Sequence, residues 1–178
     1  MIDLSSSDFD ENVRSTKAVV DIAHSRGVSV EAELGKIADA SAPVEERNSG
    51  MTDPESAVTF VRETGVDALA VSVGTAHGMY SSNPVIDYPR LERLVKEVPA
   101  PIVVHGGSNT PDEDIRRIVK LGVAKVNIGT DLMNGFISGI QDELNSTSDL
   151  TVRGIMGHAR DNTRAIVRQK IRLLNSYR

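Results

Sequence analysis

The 178-residue chain has no cysteine, and aromatic residues make up only 3% of it. Without cysteine there is no disulfide scaffold, no thiolate zinc site and no thiol nucleophile. Any metal must be held by His, Asp, Glu or Asn. No run of Lys and Arg occurs, and 25 acidic residues against 20 basic ones leave a formal charge of −5. That balance lacks the electrostatic footprint of a nucleic-acid or anionic-membrane binder. No apolar run approaches the roughly 18 residues of a membrane span, and Met1-Ile2-Asp3-Leu4 has neither the basic flank nor the apolar core of a signal peptide. A soluble cytoplasmic protein with a single domain over residues 1–178 is the expectation.

Four short runs rich in Val, Ile, Ala and Leu read as strands: Val28 to Leu34, Val66 to Gly74, Pro101 to Gly107 and Lys125 to Gly129. Met1-Ile2-Asp3 resembles the end of a fifth. Between them lie helical patterns with start and stop signals. Phe9 to Arg26 is followed by Gly27, Asp53-Pro54 and Thr110-Pro111 place a capping side chain before proline, and Asp87 is placed to cap the helix carrying Leu91, Leu94 and Val95. Regular alternation of this kind predicts a parallel sheet with crossover helices.

The strand faces separate an open doubly wound sheet from a barrel. Val28, Val30, Ala32 and Leu34 share one face, opposite Ser29, Glu31 and Glu33; Leu69, Val71 and Val73 oppose Ala68, Ala70, Ser72 and Gly74; Val126 and Ile128 oppose Lys125 and Asn127. An open sheet covered by helices on both sides wants both faces apolar. One greasy face and one small or polar face fit a barrel whose interior is polar near its mouth. A (β/α)8 barrel typically has eight strands and about 250 residues. The chain therefore reads as α/β, the C-terminal part of a TIM barrel with about five of its eight βα units, and about 70 residues short of the typical length.

Of the four histidines, His24 falls near the end of a helix, where an imidazole faces solvent, and His158 in a polar stretch before a last helix from Ile166 to Leu174. His77, in Gly74-Thr75-Ala76-His77-Gly78, and His105, in Val103-Val104-His105-Gly106-Gly107-Ser108, instead sit where strands deliver their loops to the C-terminal face of a barrel. Two imidazoles and a carboxylate there make a plausible zinc site, and a pair of hydrogen-bonded loop histidines is the plainer alternative. Glu31 and Glu33 point to the same side of their strand, where they repel unless paired with a base or a cation. A structural pairing with Lys125, also on the inward face, is the plainer alternative to a functional role; for Glu31 the two readings stand level, while Glu33, nearer the mouth, reads as functional. The glycine-rich loop His105 to Pro111, with Asn127-Ile128-Gly129-Thr130, opens two helices whose amides form a natural phosphate seat.

With Val30-Glu31-Ala32-Glu33-Leu34-Gly35, Gly74-Thr75-Ala76-His77-Gly78-Met79-Tyr80, Val104-His105-Gly106-Gly107-Ser108 and Asn127-Ile128-Gly129-Thr130 in order, the chain resembles the class II, zinc-dependent ketose-bisphosphate aldolases, and within them the tagatose/fructose-bisphosphate branch. The resemblance implies a lyase that splits fructose or tagatose 1,6-bisphosphate into dihydroxyacetone phosphate and glyceraldehyde 3-phosphate. It implies Zn2+ on His77 and His105 as two of three zinc histidines, with Glu33 as an alternative or nearby ligand, and a monovalent cation close by. Gly78, Gly106, Gly107, Ser108, Asn127, Ile128, Gly129 and Thr130 would hold the substrate. Arg153 would correspond to an arginine that some members lend to a neighbouring subunit's phosphate. The partners implied are a small sugar bisphosphate and further copies of the chain, with no nucleic acid and no membrane.

The chain also departs from the family pattern. The family's acid/base Asp and its first zinc His belong to a strand preceding Met1, so no catalytic residue is assigned. The loop after Gly35 lacks the usual Gly-Gly and acidic pair, which leaves Asp39, Glu45 and Glu46 as candidate bases. Gly129 stands where many relatives have Asp. A truncated, non-catalytic remnant that binds phosphate or metal, and an aldolase for another phosphorylated keto-sugar, are the alternative expectations.

Overall fold

The computed structural model describes residues 1–37, 39, 42–43, 49–76, 78, 84–146 and 151–175. Five strands, β1 (Ile2–Asp3), β2 (Glu31–Leu34), β3 (Ala68–Val71), β4 (Ile102–Val104) and β5 (Lys125–Val126), form one sheet in the order β1-β2-β3-β4-β5, and every pair is parallel. Each strand thus lies beside its predecessor. A doubly wound sheet reverses its strand order part-way, whereas same-handed crossovers to successive neighbours put every helix on one side and curl the sheet toward a barrel. The fold is α/β with a five-stranded parallel sheet, consistent with a partial TIM barrel.

The helices are α1 (Phe9–His24), α2 (Pro54–Thr64), α3 (Tyr88–Glu97), α4 (Asp112–Leu121), α5 (Thr130–Ser146) and α6 (Val152–Leu174). No helix among the described residues is long and apolar enough to cross a membrane. Asp53 and Asp87 cap α2 and α3 as expected, accepting from the Ser56 amide (2.8 Å) and the Arg90 amide (3.0 Å). Thr110 does not cap α4. That helix starts at Asp112 with no side-chain cap, because the Thr110 hydroxyl is drawn back to the Gly106 carbonyl at 2.9 Å. The strands are shorter than their apolar runs, since only part of each run finds ladder partners.

Two further boundaries differ from expectation. α1 ends at His24 rather than Arg26, with Ser25 as its C-cap. The last helix begins at Val152, so His158 lies inside it, Nδ1 3.5 Å from Glu143 Oε2. Gly154, Gly157 and a dense set of charges hide its apolar period in the sequence. His24 is partly exposed, as expected for a helix end, but its Nε2 lies 2.8 Å from Asp67 Oδ2, which also accepts the Val30 amide.

The greasy strand face packs under the helices. Ala32, Leu69, Val71, Ile102 and Val104 join Phe60 and Val61 of α2, Leu91 and Leu94 of α3, and Ile115 and Ile118 of α4 in one buried core. The opposite face carries Glu31, Glu33, His105 and Lys125 toward the barrel interior. At the C-terminal edge of the sheet Thr52 fastens β2 to β3. Its amide donates to the Ser72 carbonyl (2.9 Å), its hydroxyl donates to the Leu34 carbonyl and accepts from the Ser72 amide (2.8 Å), and Arg90 Nη1 donates to its carbonyl (3.0 Å).

Candidate active site

His105 directly follows β4 and is only 5% exposed. Its ring lies between the two carboxylates of β2, with Nε2 3.2 Å from Glu31 Oε1 and Nδ1 3.4 Å from Glu33 Oε2. The two glutamates have unequal surroundings. Glu31 also binds Lys125 Nζ at 2.7 Å, so the structural pairing weighed from the sequence is present. Burial opposes its ionisation, but the hydrogen bonds to Lys125 and His105 outweigh it and hold the carboxyl below its usual range.

Glu33 is 2% exposed and, among the described residues, has no lysine partner. Burial first, and then the charge of Asp3, push its carboxyl from 4.5 up to about 7. The Ser5 hydroxyl lies 3.1 Å from Glu33 Oε1 and 2.8 Å from Asp3 Oδ1. Glu33 Oε2 has no hydrogen-bond partner among the described residues and faces the imidazole. Asn12 Nδ2 fixes the strand below it by donating to the Glu33 carbonyl at 3.0 Å.

Whether zinc suits these residues is decided by that open oxygen. An imidazole nitrogen and a carboxylate oxygen 3.4 Å apart match the separation of two ligands of one tetrahedral ion, each bound at about 2.0–2.1 Å. His105 and Glu33 therefore fit as two members of an N/O ligand set. Among the described residues no group of three His, Asp or Glu side chains is arranged to hold an ion. His77 lies outside the described residues, as do Glu45 and Glu46. Asp39 is placed near Gly78, where a Cβ on the glycine would be 3.9 Å from Asp39 Oδ2.

Beside His105 opens a cavity of about 550 Å³ at the C-terminal ends of β4 and β5. Gly78, Gly106, Ser108, Asn127, Ile128, Gly129 and Thr130 all line it. Gly106 has φ +76°, and a Cβ there would be 2.3 Å from the Ala76 carbonyl oxygen, so only glycine fits the close passage of the two strand-end loops. Gly107 stands behind the lining, its amide donating to the Asn127 carbonyl at 2.9 Å. Thr130, the first residue of α5, lines the cavity, and the Leu132 and Met133 amides already turn onto the Gly129 carbonyl at 3.0 and 3.1 Å. Neutral donors and a helix N-terminus, with no carboxylate among the described lining residues, make a seat for an anion. Arg153 is exposed in the first turn of α6 and does not line the cavity.

Two side chains that sequence reasoning passed over support this seat. Asp131 Oδ1 accepts the Asn109 amide at 3.1 Å, and the Asp131 amide donates to the Ser108 hydroxyl at 3.1 Å, which joins the glycine-rich loop to the start of α5. Lys170 of α6 reaches Asp131 Oδ2 at 2.8 Å. Asp131 carried a signal in following Thr130 at a helix start, whereas nothing local marks Lys170.

Residues 1–178 match the family described as fructose-bisphosphate aldolase class-II. A fructose-bisphosphate aldolase of Thermus caldophilus is 39% identical over 202 aligned residues, taking in 99% of this chain and 66% of that protein. Among solved structures, the YdjI aldolase from Escherichia coli K12 superposes with a TM-score of 0.84 at 35% identity, over 98% of this chain and 60% of that one. A fructose-bisphosphate aldolase from Campylobacter jejuni does so with a TM-score of 0.78 at 25% identity, over 97% and 58%. The chain thus spans less than two thirds of the length of these relatives. Family match, sequence identity and superposition agree that the chain belongs to the class II fructose-bisphosphate aldolases.

Proposed function

We propose that this chain supplies the phosphate-binding half, and two or three metal ligands, of an aldolase site that cleaves and forms a ketose 1,6-bisphosphate. Fructose and tagatose 1,6-bisphosphate are the substrates considered, and dihydroxyacetone phosphate and glyceraldehyde 3-phosphate the products. One observation carries the reading: His105, whose Nδ1 faces Glu33 Oε2 at 3.4 Å, lines the same cavity as the anion seat.

On this reading the phosphate of the dihydroxyacetone half rests on the amides of Gly129 and Thr130 and on the Gly106 to Ser108 loop. Asn127, at the end of β5, orients the reacting carbons. His105, Glu33 and His77 would hold Zn2+, which when bound supplies a Lewis acid for the negative charge that builds on the enediolate oxygens. Glu31, neutralised by Lys125, keeps the His105 ring in place from its other nitrogen. No residue here is assigned to take the C4 hydroxyl proton as the C3–C4 bond breaks. That group belongs to barrel strands that the longer relatives carry outside the matched region. A monovalent cation near the seat, a homo-oligomer in which Arg153 reaches a neighbour's phosphate, and a cytoplasmic location complete the proposal.

The test is aldol cleavage of both bisphosphates with Zn2+ and then with chelator, by the chain alone and by the chain fused to the remaining barrel strands of a longer relative. Chelator-sensitive cleavage by the fusion alone supports the division of the site. Cleavage by the 178-residue chain would place the acid/base within it and overturn that division. Phosphate binding without cleavage in either form would favour the non-catalytic remnant.

A further inference from the structure

We propose that Lys170, on the last helix, is a positioning residue for the anion seat, acting through Asp131. The inference rests on the phosphate reading above. Asp131 occupies the first turn of α5 with its carboxylate next to the glycine-rich loop. A carboxylate so close to an anion seat is useful for its hydrogen bond to Asn109 and harmful for its charge. Lys170 resolves the conflict. Its Nζ lies 2.8 Å from Asp131 Oδ2, and the two side chains are only 14% and 15% exposed, so little solvent screens the pair.

The rest of α6 is built to deliver that ammonium. α5 and α6 approach closely at Gly135 and Gly139, where a Cβ would come 2.1 Å from Ile166 Cδ1 and 2.7 Å from Ala159 Cα. Asn162 Nδ2 donates to the Gly135 carbonyl at 2.8 Å. This contact fixes α6 against α5 two turns before Lys170. A helix far from the cavity in sequence thereby sets the charge behind its glycine-rich loop.

The geometry separates two roles for Asp131. Its Oδ1 holds the loop and needs no charge, while its Oδ2 is neutralised from outside. Removing only the ammonium leaves an uncompensated carboxylate behind the loop that carries Ser108, close enough to oppose a bound phosphate. Removing both charges leaves the hydrogen bond and restores neutrality behind the seat. A purely structural role for Lys170 predicts no such restoration.

The probe is inorganic phosphate, and in parallel dihydroxyacetone phosphate, titrated into the 178-residue chain by calorimetry and by amide chemical shifts. Thermal unfolding midpoints of each variant are followed alongside. Lys170→Met should weaken phosphate binding about tenfold, Lys170→Arg should retain it, and Lys170→Met combined with Asp131→Asn should recover most of the loss. Weak binding in Lys170→Met that the second substitution leaves unchanged, or unaltered binding in a folded Lys170→Met, overturns the inference while leaving the phosphate seat standing. No binding of either probe by the unsubstituted chain removes the seat itself, and the inference with it.

Discussion

Metal-free Glu33 should make this protein less stable as the solution becomes more alkaline. Burial and the charge of Asp3 raise its carboxyl from 4.5 to about 7 in the folded state. A group whose folded value lies above its unfolded one holds its proton more tightly when folded, so its contribution is fully present below pH 4.5 and is lost as pH rises through about 7. At about 1.4 kcal/mol per unit, the shift amounts to roughly 3 kcal/mol when fully developed, and roughly 2–3 kcal/mol of it falls between pH 5 and pH 8. Glu31, Asp53, Asp67 and Glu97 are shifted downward and titrate in more acid solution. Urea unfolding in the presence of chelator, at several pH values across that interval, should therefore show a decline in the parent chain that is largely absent in Glu33→Gln. Excess Zn2+ should flatten the parent's decline, because the ion takes the deprotonated form. Parallel pH profiles for the parent and Glu33→Gln would refute the assignment.

Other outcomes follow from packing, capping and ligation. Phe60 is fully buried and meets Phe9 edge-to-face at 6.1 Å, so Phe60→Ala should cost about 3–5 kcal/mol in chemical unfolding. Gly106→Ala combines a left-handed φ of +76° with a backbone contact at 2.3 Å, and should cost about 2–4 kcal/mol together with loss of phosphate binding. His105→Gln should lower zinc affinity at least about tenfold in a competitive chelator titration, while Arg153→Ala should leave it unchanged. Asp53→Ala should cost about 1 kcal/mol at neutral pH. Since hydrogen bonds to Ser56 hold Asp53 below its usual value of 3.8, that difference should persist above pH 3.8 and vanish as pH falls through the folded value.

The parts of this fold that were readable from sequence are those set by local chemistry. Alternating faces such as Glu31, Glu33 against Ala32, Leu34 follow from a period of two, and Asp53-Pro54 and Asp87 speak for themselves as helix starts. The glycine-rich loop was legible because the close approach of Gly106 to the Ala76 carbonyl restricts residue type. Features that depend on who meets whom were not. Thr110 has the side chain of a cap, but the Gly106 carbonyl competes for it successfully. Glu31 and Glu33 are equivalent by spacing, and only the stagger of β5 decides that Lys125 reaches the first and leaves the second to Ser5 and His105. The beginning of α6 was hidden by its glycines and charges, which are tolerated because α5 supplies the close-packed surface that the sequence of α6 alone does not advertise.

The stitch at Thr52 bears on how such an enzyme can diversify. By joining the end of β2 to the segment after β3, it holds Leu34, Thr52 and Ser72 together. The length of chain between Leu34 and Thr52 is thereby decoupled from the register of the sheet. Doubling such a closed segment adds only about 0.6 kcal/mol of entropy. Descendants of this sequence are thus free to exchange chain between Leu34 and Thr52 while inheriting the sheet register and the core unaltered.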